Sequence, residues 1–121
     1  MKNSLVKIHK VLGDESRLRV LNLLDERACC VCEVMQVLAI SQSKASRILS
    51  ALCDAGILKL QKEGQWSHYS IDWEGMGNTS QNIIEATIKA LRSNGICLTD
   101  RKRLKKAKKV GPGCVQSLKT K

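Results

Sequence analysis

Apolar residues recur with helical spacing through most of the first half of this chain. Leu5, Ile8 and Leu12 place one stripe on a short helix over residues 5–12, and Gly13 is a natural stop. Asp14 then reads as the cap of a second helix whose inward residues are Leu18, Leu21 and Leu24. Val31, Val34, Met35 and Leu38 fall at i, i+3, i+4 and i+7, the apolar face of a third helix. After the short turn Ala39-Ile40-Ser41, Ser41 caps a fourth helix that runs from Gln42 to about Ala55 and ends at Gly56. Its buried side is Ile48, Leu49 and Leu52. Two short helices joined by a tight turn predict a helix-turn-helix.

The period then changes. Ile57 to Gln61 and Trp66 to Ile71 alternate apolar and polar residues around Lys62-Glu63-Gly64-Gln65, which predicts a β-hairpin. A hairpin placed directly after the helix pair is a wing. Residues 79–94 return to helical spacing with Ile83, Ile84, Thr87 and Leu91. The pattern offers no other long helix to cover that stripe, so a second copy of the chain is the expected cover. The predicted fold is mainly α with a β-hairpin wing, a homodimeric winged helix-turn-helix.

Composition agrees with packed helices. The chain has 121 residues, enough for one domain, and its aromatic residues are only Trp66, Tyr69 and Trp73. The core must be aliphatic, which favours helices over a sandwich of sheets. The net charge of +10 is unevenly spread: residues 1–100 carry +1 and residues 101–121 carry +9. This divides the chain into a nearly neutral domain, residues 1–98, and a basic tail, residues 99–121, expected to be solvated and mobile. Gly111-Pro112-Gly113 breaks structure within that tail. Its functional reading is extra contact with DNA phosphates. The N-terminus lacks the apolar stretch of an export signal and no apolar run is long enough to span a bilayer, so a cytoplasmic protein without a membrane partner is expected. In that compartment six cysteines point to metal or redox chemistry rather than to disulfide staples.

Two groups of residues carry chemistry. The fourth helix opens Ser41-Gln42-Ser43-Lys44-Ala45-Ser46-Arg47, with hydroxyls, an amide, two cations and no acid before Asp54. Hydroxyls and cations hold phosphates while Gln and Arg read base edges in the major groove, so Ser41, Gln42, Ser43, Lys44, Ser46 and Arg47 suit a recognition helix on double-stranded DNA. Lys62 and Gln65 at the wing tip would meet the minor groove or phosphates, whereas His68 and Tyr69 suit the base of the wing. The second group is Cys29, Cys30 and Cys32. If Cys30-Val31-Cys32 is extended, Cys30 and Cys32 point the same way. If the helix already includes Cys30, that pair diverges by about 200° at ~100° per residue, and Cys29 and Cys32 share a face instead. A helix N-terminus beside them favours thiolate. Cys53 reads as a small apolar side chain, while Cys97 and Cys114 are further candidate ligands.

These segments together, LGDESRLRVLNLL, CVCEV, SQSKASRILSALCDAGIL and EGQWSHYSI, resemble the ArsR/SmtB-type metalloregulatory repressors. The likeness covers residues 5–95. It implies a homodimer with the first and last helices at its interface, binding to an inverted-repeat operator, and release when an ion binds. It assigns Cys30 and Cys32 to the family's Cys-Val-Cys pair for As(III) or Sb(III), with Cd(II) or Pb(II) as alternatives, and it assigns Gln42, Ser43, Lys44, Ser46 and Arg47 to DNA contact. The chain departs from the pattern at Met35, where the arsenic branch often has a third cysteine. It departs again at Ile48, often His, and at Gln65, often Arg or Lys. The last helix has no His, which argues against the zinc branch's site. A redox switch using the same thiols and a constitutive architectural DNA binder are the other readings. An enzyme is disfavoured, because CCVC is not a C-x-x-C motif and no phosphate loop or Ser/His/Asp set is present.

Overall fold

The computed structural model describes residues 3–64 and 66–108. Helices α1 (Asn3–Leu12), α2 (Glu15–Glu26), α3 (Val31–Leu38) and α4 (Gln42–Asp54) are followed by strands β1 (Leu58–Glu63) and β2 (Trp66–Ile71), then by α5 (Asn78–Arg92) and α6 (Gly95–Lys106). The caps expected from the sequence form. The Asp14 carboxylate accepts from the Arg17 N–H at 3.0 Å, and Ser41 Oγ accepts from the Lys44 N–H at 3.2 Å. Ala39 ends α3 in the left-handed region at φ 55°, which turns the chain sharply into α4.

The strands pair antiparallel in the register Leu58↔Ile71 through Glu63↔Trp66, with Gly64 at φ 61° supplying the turn. Gln65 lies outside the described residues. The core is aliphatic, as composition required. Val20, Leu21 and Leu23 of α2 sit at its centre with Val34, Leu49, Leu52, Ile57 and Ile84, all fully buried.

Two expectations are corrected. Residues 99–106, assigned to a mobile tail, are part of α6, which packs on α2 and α3. The Asn94 side chain caps it by accepting from the Cys97 N–H at 3.2 Å. Its inward residues are Cys97, Asp100 and Leu104, a helical stripe with a carboxylate in the middle. Asp100, only 1% exposed, takes both guanidinium nitrogens of Arg19 at 2.8 and 2.9 Å. Arg101 donates to Asn22, Asp25 and Glu26 of α2. The basic run therefore hides a polar seam that anchors the helix. Removing residues 101–121 would delete Leu104 from the core and could not test phosphate contact alone. Gly111-Pro112-Gly113 and Cys114 lie outside the described residues.

The second correction concerns α5. Its Ile84, Ile88 and Leu91 are buried within this one chain, largely against α2, while Ile83 and Thr87 of the expected stripe stay half-buried, so part of that stripe is covered without a second copy.

Breaking the Arg19–Asp100 pair should loosen α6. Asp100→Ala is expected to lower the unfolding free energy in urea by about 2–3 kcal/mol. This is below the roughly 3–5 kcal/mol of a fully buried pair, because Arg19 stays 22% exposed.

Candidate functional site

Most of the predicted DNA-reading residues stand on one exposed surface. Ser41, Ser43, Lys44 and Arg47 are exposed on the first turns of α4, while Ala45, Ile48, Leu49 and Leu52 hold the helix to the core. Gln42 and Ser46 are half-buried and joined, with Gln42 Nε2 donating to Ser46 Oγ at 2.8 Å. That bond orients the Gln42 amide across the helix face. Ile48 takes the inward side of α4. In the wing, Lys62 is exposed opposite Ser67, one rung from the Glu63–Trp66 pair that closes the strands.

The cysteine segment resolves the alternative left open by spacing. α3 begins at Val31, and Cys30 is its extended N-cap at φ −94°, ψ 168°. An N-cap side chain folds over the first turn of its helix, where Cys32 is the second residue. Cys30 Sγ and Cys32 Sγ consequently lie 2.7 Å apart, both buried. Cys29 is directed elsewhere, its Sγ donating to the Arg27 carbonyl at 3.3 Å. Its backbone forms a two-bond bridge with Tyr69 of β2, at 3.0 and 2.8 Å. Cys29 is thus tied to the wing by a single-residue antiparallel bridge outside the two-stranded sheet.

A buried carboxylate fixes this arrangement. Glu33, 2% exposed, accepts from the Cys30 N–H at 3.0 Å and from Arg27 at 2.7 Å. Burial raises its pKa most strongly. The hydrogen bonds from Arg27 and from the Cys30 N–H outweigh that, and the carboxyl is held below its ordinary value. Arg27 also donates to the Leu104 carbonyl at 3.2 Å, reaching the end of α6.

α6 closes the other side. Gln36 of α3 and the backbone of Lys108 form a reciprocal amide pair, at 2.6 Å from Nε2 to the Lys108 carbonyl and 3.1 Å from the Lys108 N–H to Oε1. The same carbonyl lies 4.0 Å from Cys32 Sγ. The remaining cysteines are placed differently. Cys97 is buried in the core at the α2–α6 contact, and burial pushes its thiol pKa up. Cys53 is half-buried near the end of α4, and its thiol is raised for the same reason. Met35 is half-buried against the core. Among the described residues, no three His, Cys, Asp or Glu side chains converge as a metal site. Two soft thiol donors side by side do suit a thiophilic ion.

Arg27, Glu33 and Gln36 went unread in the sequence. Glu33 had a legible signal, since an acid three residues after an N-cap is the second half of a capping box. Arg27 and Gln36 act through distant partners and left none.

Known proteins resemble this chain in sequence and in fold. The family described as "Bacterial regulatory protein, arsR family" matches residues 14–59, from the cap of α2 into β1. The chain is similar to an arsenical resistance operon repressor of Escherichia coli, 40% identical over 67 residues, 54% of this chain but only 57% of that protein. It is also similar to an arsenic resistance transcriptional regulator of Pseudomonas putida, 34% identical over 84 residues, covering 69% of this chain and 72% of that one. In fold it matches a homodimeric winged helix-turn-helix DNA-binding domain from Mycobacterium bovis. That match has a TM-score of 0.62 at 20% identity, over 77% of this chain and 82% of that one.

The Glu33 carboxylate gives a pH test. A carboxyl held below its ordinary value of 4.5 stabilises the fold above that pH, and the contribution is lost as pH falls through the folded-state value. Glu33→Gln should be less stable than the parent near neutrality. The gap in urea midpoint should narrow as pH falls below 4.5 and through the lower folded-state value.

Proposed function

This chain belongs to the arsR family of bacterial regulatory proteins, and we propose that it is a repressor that leaves its operator when a thiophilic ion binds Cys30 and Cys32. The observation that carries this reading is the 2.7 Å approach of the two sulfurs at the very start of α3, the first helix of the helix-turn-helix. An ion there replaces thiol protons and pulls on the N-cap of α3. α3 packs on α4 and hands directly into it through the Ala39 turn, so a shift at the cap reaches the DNA-reading helix. Trivalent arsenic or antimony fits a thiolate donor set, and Cd(II) or Pb(II) is the alternative of the same softness.

Trivalent arsenic calls for a third thiolate, and Cys114 is our choice. The chain leaves α6 beside Cys32, at the Lys108 carbonyl. Six residues further on, Cys114 is within a reach of up to roughly 20 Å at ~3.3–3.6 Å per residue. Cys29 is the second choice, needing its side chain to leave the Arg27 carbonyl. Cys97 would have to leave the core.

The DNA partner is an inverted-repeat operator read by a homodimer. α1 supports the dimer: Val6 is 37% exposed, and Leu5, Val6, His9 and Lys10 line an apolar surface groove. Ser41, Gln42, Ser43, Lys44, Ser46 and Arg47 would lie in the major groove, with Lys62 and Gln65 at the flanking backbone.

Operator binding should be titrated with arsenite, antimonite, cadmium and lead under reducing conditions, which separates ion release from a thiol redox switch. Cys30→Ser and Cys32→Ser are expected to keep operator affinity and to lose release by the ion. Cys114→Ser should weaken ion response by about tenfold or more, and Cys97→Ser should leave it unchanged. Normal release from Cys30→Ser and Cys32→Ser would remove the sensor assignment. Val6→Asp should shift sedimentation equilibrium towards monomer and weaken operator binding with it.

A further inference from the structure

The N-terminus of α2 and the first turns of α4 meet in an open cleft of 320 Å³ lined by Asp14, Ser16, Arg17, Lys44, Arg47 and Ile48. Three of these six side chains are cations, drawn from two helices. The one acid, Asp14, is committed to the cap of α2, where its carboxylate accepts from the Arg17 N–H. Arg19, Arg27, Arg92 and Arg101 each meet a carboxylate within 3.0 Å. Among the described residues, no carboxylate forms a salt bridge with the side chains of Arg17, Lys44 or Arg47. Three cations against the single Asp14 carboxylate leave the cleft with a net positive charge, and an anion between the cations relieves their repulsion. The cleft also opens beside the exposed first turns of α4, the surface already assigned to DNA, and the first turn of α2 adds the positive end of a second helix.

We propose that this cleft seats a single backbone phosphate of the DNA duplex, gripped from the α4 side by Lys44 and Arg47 and from the α2 side by Arg17 and Ser16. The helix-turn-helix thus has a third helix engaged with DNA, and α2, the central helix of the core, is docked directly to the operator backbone. A phosphate contact of this kind is blind to sequence. Its part is to set how deeply and at what angle α4 enters the groove. The proposal rests on the DNA-binding reading above and adds Arg17 and Ser16 to it.

The test measures duplex binding against salt for the full chain, with an operator duplex and an unrelated duplex of equal length. Arg17→Gln should weaken both by roughly tenfold, as expected for loss of a charged hydrogen bond. It should also reduce the slope of log K against log salt by about 0.9. Arg17→Lys should restore most of the slope, and Ser16→Ala should weaken binding with the slope unchanged. Lys89→Gln, a cation on α5 away from the cleft, should leave both quantities as they were. Thermal unfolding of Arg17→Gln should match the parent, since the Arg17 side chain has no salt bridge among the described residues. Inorganic phosphate, titrated against the parent without DNA, separates a free-anion site from a DNA site. Tight phosphate binding with unchanged duplex binding in Arg17→Gln overturns the proposal. An unchanged salt slope in Arg17→Gln, with the parent still binding duplex, also overturns it and leaves the DNA-binding reading standing. A parent chain that binds no duplex overturns both.

Discussion

A carboxylate buried at the start of α3 holds the cysteine end of this molecule together. Glu33 is nearly inaccessible to water, and an ion in that position without partners would be costly by several kcal/mol. It is satisfied by the Cys30 N–H and by Arg27. The first of those bonds makes Cys30 an N-cap rather than a helical residue, and so decides where α3 begins. The second holds Arg27 where Nη1 reaches the Ala28 carbonyl and Nη2, the nitrogen that also meets Glu33, reaches that of Leu104. One acid therefore links the thiol pair, the end of α2 and the end of α6. The meeting of Cys30 and Cys32 is a by-product of satisfying it.

Much of the fold was legible because apolar spacing and capping residues agreed with each other. The first four helices and the hairpin follow from positions such as Asp14, Ser41, Gly56 and Gly64, where local chemistry and periodicity coincide. α6 escaped for a physical reason. Its stripe is Cys97, Asp100 and Leu104, and the middle member is charged. A carboxylate counts as outward in any hydrophobic pattern, and only the presence of Arg19 on another helix makes it an inward residue. The run of cations from Arg101 deepened the disguise, since a solvated tail and a helix anchored through Arg101 have the same composition. The cover of α5 came from elsewhere, since Ile84, Ile88 and Leu91 pack largely against α2.

The thiol site was legible to the level of a choice. Spacing allowed Cys30 with Cys32 or Cys29 with Cys32, depending on one helix boundary. What selected the first pair was partly local, the acid at Glu33, and partly remote, the bridge from Cys29 to Tyr69 that keeps Cys29 extended. A strand contact forty residues away along the chain leaves no trace in the spacing of the cysteines themselves. The exposed polar face of α4 was easier, because its residues lie within two turns and need no partner to be identified. Arg17 gave no comparable signal, since it lies on a helix whose apolar spacing already accounts for it.

The Cys29–Tyr69 bridge has a thermodynamic consequence. The few residues that carry the thiols are hydrogen-bonded to the wing on one side and continue into α3 on the other, so the wing and, through α3, the α4 helix share one mechanical root. A duplex that seats α4 and the wing together must then hold the cysteine segment in the geometry those two elements demand. Linkage makes the effect symmetric: any factor by which a ligand at the sulfurs lowers affinity for DNA is the factor by which bound DNA lowers affinity for that ligand. The threshold at which such a protein responds is then set jointly by its thiols and by the strength of the site it occupies, so one chain would answer at different ligand concentrations on weak and strong operators.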